Sequence, residues 1–137
     1  MEGVFIMKAL SYSIPLREAD LFREWLSCSL KELGLDVRKE ASKQNTWDVL
    51  HPKIKQQFGA IQYGGQEAKV SSLQAVAYIE LRFYRKHLLT LHLHDKLNAI
   101  KDYRDDCNES IRFRFFTTDP RGLNNLLTQL RFVFKSL

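Results

Sequence analysis

Two stretches of this chain, YIELRFY at 78–84 and SIRFRFF at 110–116, alternate large apolar and polar residues at a period of two. Successive side chains of an extended strand point to opposite faces, so this pattern makes one oily and one wet side. Ile79, Leu81 and Phe83 fall on one side of the first stretch, and Ile111, Phe113 and Phe115 on one side of the second. Tyr78, Glu80, Arg82 and Tyr84 share the other side of the first, as do Arg112, Arg114 and Phe116 of the second. A sheet covered on one face is the architecture that uses both sides.

The neighbouring segments supply the cover. Pro15 opens a helix in which Phe22, Trp25, Leu26, Ser29 and Leu33 share a face, and Gly34 is placed to end it in a left-handed conformation. Asp119-Pro120 is a cap followed by proline at the first helical position, and Leu123, Leu126, Leu127, Leu130, Phe134 and Leu137 then form an apolar stripe. Val4–Ile14 reads as an interior strand. LDVRKE alternates like a strand, with NTWDVL as its hairpin partner or the start of a helix. A short helix is expected from Pro52 to Phe58, closed by Gly59, and a turn at Gly64-Gly65. Asp95 can cap a further helix with Leu97, Ile100 and Tyr103 inward, ending near Asn108 and Ser110.

The segment 70–94 supports two readings. Val70, Leu73, Ala77, Leu81, Tyr84, Leu88 and Leu91 satisfy a helical stripe, while 77–83 and 89–93 alternate as strands. The strand reading predicts a hairpin with loop Arg85-Lys86-His87, pairing Tyr84 with Leu88, Arg82 with Thr90, Glu80 with His92 and Tyr78 with His94. No repeat, linker or low-complexity tract divides the chain. The expectation is one α+β domain over 1–137, with a mostly antiparallel sheet and helices packed on one face.

At 137 residues the chain can bury a core without disulfide or metal staples. The early apolar run Gly3–Met7 is too short to span a bilayer and lacks a basic leader, so no membrane association and no secretory signal are expected. Cys28 and Cys107 fit isolated thiols of a reducing, cytoplasmic setting. The net charge of +5 lies wholly in the second half: residues 1–68 carry nine Lys/Arg and nine Asp/Glu, and residues 69–137 carry twelve and seven. That asymmetry points to an anionic partner.

Catalytic signatures are missing: there is no nucleophile elbow, phosphate loop or dinucleotide fingerprint. Cys28, between Leu26 and Leu30, reads as a buried apolar thiol, and Asp105 and Asp106 should disfavour a thiolate at Cys107. The acidic cluster Asp102, Asp105, Asp106 and Glu109 lacks the spacing of a calcium loop. On a strand His92 and His94 would point the same way, which is half of a zinc site at most. No cofactor, metal or enzymatic activity is therefore expected.

The wet face carries the functional expectation. Arg82, Arg112 and Arg114 beside Tyr78 and Tyr84 form a platform on which bases can stack and guanidinium groups meet phosphates, as for single-stranded nucleic acid. Tyr, Phe and Arg are equally the residues of protein interfaces. An inhibitor, immunity-type or accessory protein with an acidic partner, or a homodimer, would use the same face.

Overall fold

The computed structural model describes residues 14–64 and 75–135. Five strands form one antiparallel sheet in the order β2-β3-β4-β6-β7. These are β2 (Asp36–Lys39), β3 (Thr46–Leu50), β4 (Gly59–Gly64), β6 (Tyr78–Tyr84) and β7 (Ser110–Phe115). Short β1 (Ile14–Pro15) and β5 (Ala75–Val76) pair separately. Of the expected first strand only Ile14 lies among the described residues, as does Gly64 alone of the Gly64-Gly65 turn. Among the described residues four helices accompany the sheet: α1 (Leu16–Glu32), α2 (Arg85–Thr90), α3 (His94–Asn98) and α4 (Pro120–Phe134).

Both long helices start and stop where local chemistry directs. Pro15 stands at the N-cap of α1, and Ala19, Phe22, Leu26 and Leu30 are buried at helical spacing. Gly34, at φ 93°, ends α1, with Gly34 N–H donating to Lys31 O and Leu35 N–H to Leu30 O. Asp119 caps α4 by accepting from Arg121 N at 3.1 Å, with Pro120 following. Both helices cover the same face. Phe22 of α1 meets Phe115 of β7 at 5.3 Å between ring centres, and Phe134 of α4 meets Phe83 of β6 at 5.8 Å. Phe58 lies between, at 5.6 Å from Phe83 and 6.1 Å from Phe134. The inner residues Ile79, Leu81, Phe83, Ile111, Phe113 and Phe115 are all buried in this core.

Helix phase corrects two core expectations. Trp25 is 38% exposed, touching Phe22 only edge-on, and Cys28 is exposed. The buried positions Ser27, Ser29 and Leu30 put Leu21, Trp25 and Cys28 on the outer side.

The expected 78–94 hairpin does not form. Strand β6 has two hydrogen-bonding edges, and both are taken, by β4 and by β7. No edge remains for 88–94; the chain from 85 to 98 instead forms α2 and α3 and places Leu88, Leu93 and Leu97 in the core while Leu89 stays exposed. Tyr84, Arg82 and Glu80 are paired with Ser110, Arg112 and Arg114, not with Leu88, Thr90 and His92. The Pro52–Phe58 helix is likewise absent. His51 O accepts from Ile54 N, and Phe58 N–H donates to Val49 O, so the segment is a turn leading directly into β4. The helix expected from Asp95 stops at Asn98, and Asp95 makes no cap bond. Beyond it, Tyr103 O accepts from Arg114 N at 2.8 Å and Asp105 N–H donates to Arg112 O at 2.9 Å. The chain thereby covers the outer edge of β7, a strand edge that would otherwise be free to recruit another chain.

Two histidines flank the central phenylalanine: His51 at 5.1 Å from Phe58 and His87 at 6.5 Å. Each is buried with an unpartnered Nε2. Burial holds both below the usual histidine pKa, with Lys53 and Lys86 adding repulsion. Below about pH 6.5 the unfolded chain therefore binds more protons than the native one, and stability falls with pH. The urea midpoint of the wild type is expected to drop between pH 7.5 and 5.5, and the double variant His51→Leu/His87→Leu to lose most of that dependence.

Candidate interaction face

No long helix among the described residues covers the other face of the sheet. Register puts its side chains in rows. Arg38, Asp48, Ala60, Arg82 and Arg112 are successive neighbours across β2, β3, β4, β6 and β7. The next row runs Thr46, Gln62, Glu80 and Arg114, extended by Glu40, whose N–H donates to Thr46 O. Arg82, Arg112, Arg114, Tyr78 and Tyr84 therefore share one face, as alternation predicts. Arg82 and Arg112 are direct cross-strand partners.

Their charges are committed, however. Glu80 is 1% exposed at the centre of the face. Its Oε2 accepts from Arg82 Nε at 2.6 Å and from Nη2 of the same residue, and its Oε1 accepts from Arg114 Nε at 3.0 Å. Arg112 Nη1 stands 3.7 Å from Glu80, and its Nε donates to Asp105 O at 2.7 Å. Asp105 Oδ2 also pairs with Arg114 Nη1 at 2.8 Å. The three arginine side chains are only 17–25% exposed. Alternation reveals that Glu80 shares the face with the arginines. Asp105 gives no such signal, because it arrives on the irregular segment along the β7 edge.

Aromatic groups occupy one end of the face. Arg114 stacks its guanidinium 4.3 Å from the Tyr78 ring centre, and Tyr78 meets exposed Phe116 at 5.7 Å. Tyr84 marks the other end, where a cleft of about 640 Å³ is lined by Gln57, Tyr84, Arg85, Lys86, His87 and Glu109 among others. Burial raises the Tyr84 phenol pKa. Arg85 is held away from free charge by Asp106 at 2.8 Å and by donating to His94 Nε2 at 2.8 Å.

The β2–β3 side differs. Asp48 accepts from Gln57 Nε2 at 2.6 Å, and Glu40 from Ser42. Neither carboxylate has an ion-pair partner within 4.0 Å among the described residues. Burial raises the Asp48 pKa, and the neighbouring Glu40 raises it further. Arg38 is tied to Asp36 at 2.9 Å.

The metal-like features separate. His92 sits at φ 59° after α2 and His94 is engaged with Arg85, so they do not share a strand face. Among the described residues, no group of three or more His, Cys, Asp or Glu is placed to hold a metal ion. Cys107 departs from expectation. Its Sγ lies 2.9 Å from Ser110 Oγ, and that bond, backbone N–H groups and Arg112 lower the thiol pKa. The two aspartates instead serve Arg85, Arg104, Arg112 and Arg114. No helix among the described residues is long and apolar enough to cross a membrane.

A scan against protein-family models, a search of curated proteins and a search of solved structures each return no match.

Proposed function

We propose that the protein is a non-enzymatic binding module, working in a reducing compartment, whose sheet face opposite α1 and α4 docks another protein. One observation carries this reading: Arg82, Arg112 and Arg114 are already engaged with Glu80 and Asp105, beside the aromatic rings of Tyr78, Tyr84 and Phe116. Phosphate recognition uses guanidinium groups with unspent charge, whereas a charge-compensated, aromatic-flanked surface fits a protein interface. The two free, widely separated cysteines support the compartment.

Two measurements test the reading. Titration with labelled single-stranded oligonucleotides at several salt concentrations is expected to show a log–log slope no steeper than about −1, against roughly −3 to −5 for four to six neutralised phosphates. A steep slope, abolished by Arg82→Glu/Arg112→Glu in a folded domain, would restore the nucleic-acid reading. A photo-crosslinking amino acid at Gln62, mid-face, is expected to give protein adducts in cells, while one at exposed Arg121 on α4 gives none. Adducts to nucleic acid alone, or none from Gln62, would reject the protein interface.

A further inference from the structure

The layout of charge across the face identifies an occupant. This step rests on the reading of the face as a protein interface. Strand β4 is the middle strand of five, and on this face it carries only neutral side chains, Ala60, which is 4% exposed, and the half-buried Gln62. On its β3 side stand Asp48 and Glu40, without ion-pair partners among the described residues. On its β6 side stand Arg82, Arg112 and Arg114. With Arg38 held by Asp36 the first flank is net acidic, and three arginines against the two carboxylates Glu80 and Asp105 leave the second net basic.

We infer that the occupant is a second copy of this chain, packed face to face about a two-fold axis running along β4. Rotation about that axis keeps each residue at its height along the strands, and exchanges β3 with β6 and β2 with β7. Asp48 and Arg82, both in register with Ala60, then oppose each other across the interface. Thr46 opposes Glu80, both in register with Gln62, and Glu40 of the same row opposes Arg114.

Arg38 opposite Arg112 is the one like-charged pair, and each already holds an acidic group or carbonyl of its own chain. An axis across the strands would instead set acid on acid and base on base. Aligned packing of two sheets at about 10 Å is the ordinary geometry for such faces. A patch about 24 Å wide and about 17 Å tall covers only about 400 Å² of each copy, below the area of stable interfaces and in the range of weak, transient ones, so the dimer should be weak.

Sedimentation equilibrium of the full chain from 5 to 500 µM, concentrations set to bracket the affinity expected for so small a patch, tests this. The wild type is expected to dimerise reversibly, and Asp48→Lys or Arg82→Glu alone to weaken association about tenfold or more. An equimolar mixture of the two variants should regain dimer, because one of its contacts becomes Lys against Glu while the other stays Asp against Arg. If Arg82→Glu does not fold, Gln62→Lys decides: it meets its own copy at the axis and should dissociate the dimer, while Arg121→Glu on α4 leaves it intact. A wild type still monomeric at the highest concentration overturns the second-copy inference. The protein-interface reading then stands or falls separately on the Gln62 adducts. A dimer indifferent to Asp48→Lys and Gln62→Lys also overturns the second-copy inference, by placing the contact elsewhere.

Discussion

Glu80→Ala should lower the unfolding free energy by about 3 kcal/mol at neutral pH, within the range for breaking one side of a buried ion-pair network. Three guanidinium groups converge on this carboxylate, which is 1% exposed. Its removal leaves their charges facing one another across the β6–β7 ladder. The arginine heads keep some contact with water, which holds the loss toward the low end. Adding Arg82→Ala to Glu80→Ala should recover part of it, because the second substitution removes a charge the first has stranded. Urea denaturation of the two single variants and the double variant measures the coupling, expected to exceed about 1 kcal/mol. Strictly additive losses would mean that the network contributes only packing.

Gly59→Val should have an effect of similar size, about 3 kcal/mol or more. Gly59 pairs with Phe83 in the central β4–β6 ladder and with Val49 on β3. A Cβ at this position would overlap the carbonyl oxygen of Arg82, a backbone atom that can yield only if the ladder moves. Gly64→Ala provides the contrast. The three atoms nearest its added Cβ all belong to the Tyr78 side chain, which can rotate away, so the loss should stay under about 1 kcal/mol. A Gly59→Val protein as stable as the wild type would show that β4 and β6 can part without cost.

Much of the candidate face is legible in the sequence because it follows from parity. Once 78–84 and 110–115 are strands, the side of each chain on which Arg82, Arg112, Arg114, Tyr78 and Tyr84 lie is fixed by the two-residue repeat. Their lateral pairing is not. LLTLHLH at 88–94 fits a period of two almost as well as it fits short helical turns, and alternation does not say which strand edge is vacant. The actual partner of β6 comes from 110–115, about 30 residues along the chain. The acidic flank was hidden for the same reason. Asp48 and Glu40 join the face only once β3 takes its place beside β4.

Local elements follow from the residues alone: the alternating strands, the Pro15 start and Gly34 end of α1, and the Asp119-Pro120 cap of α4. Each depends on backbone preferences and side-chain contacts within a few residues. Long-range packing is what makes residues 85–90 and 94–98 short helices, brings Asp105 to Arg114 and buries Glu80 among three arginines. Those outcomes depend on which distant strand occupies each hydrogen-bonding edge. A strand's own residues prescribe its two faces but leave its two edges open to any segment that can pair with them.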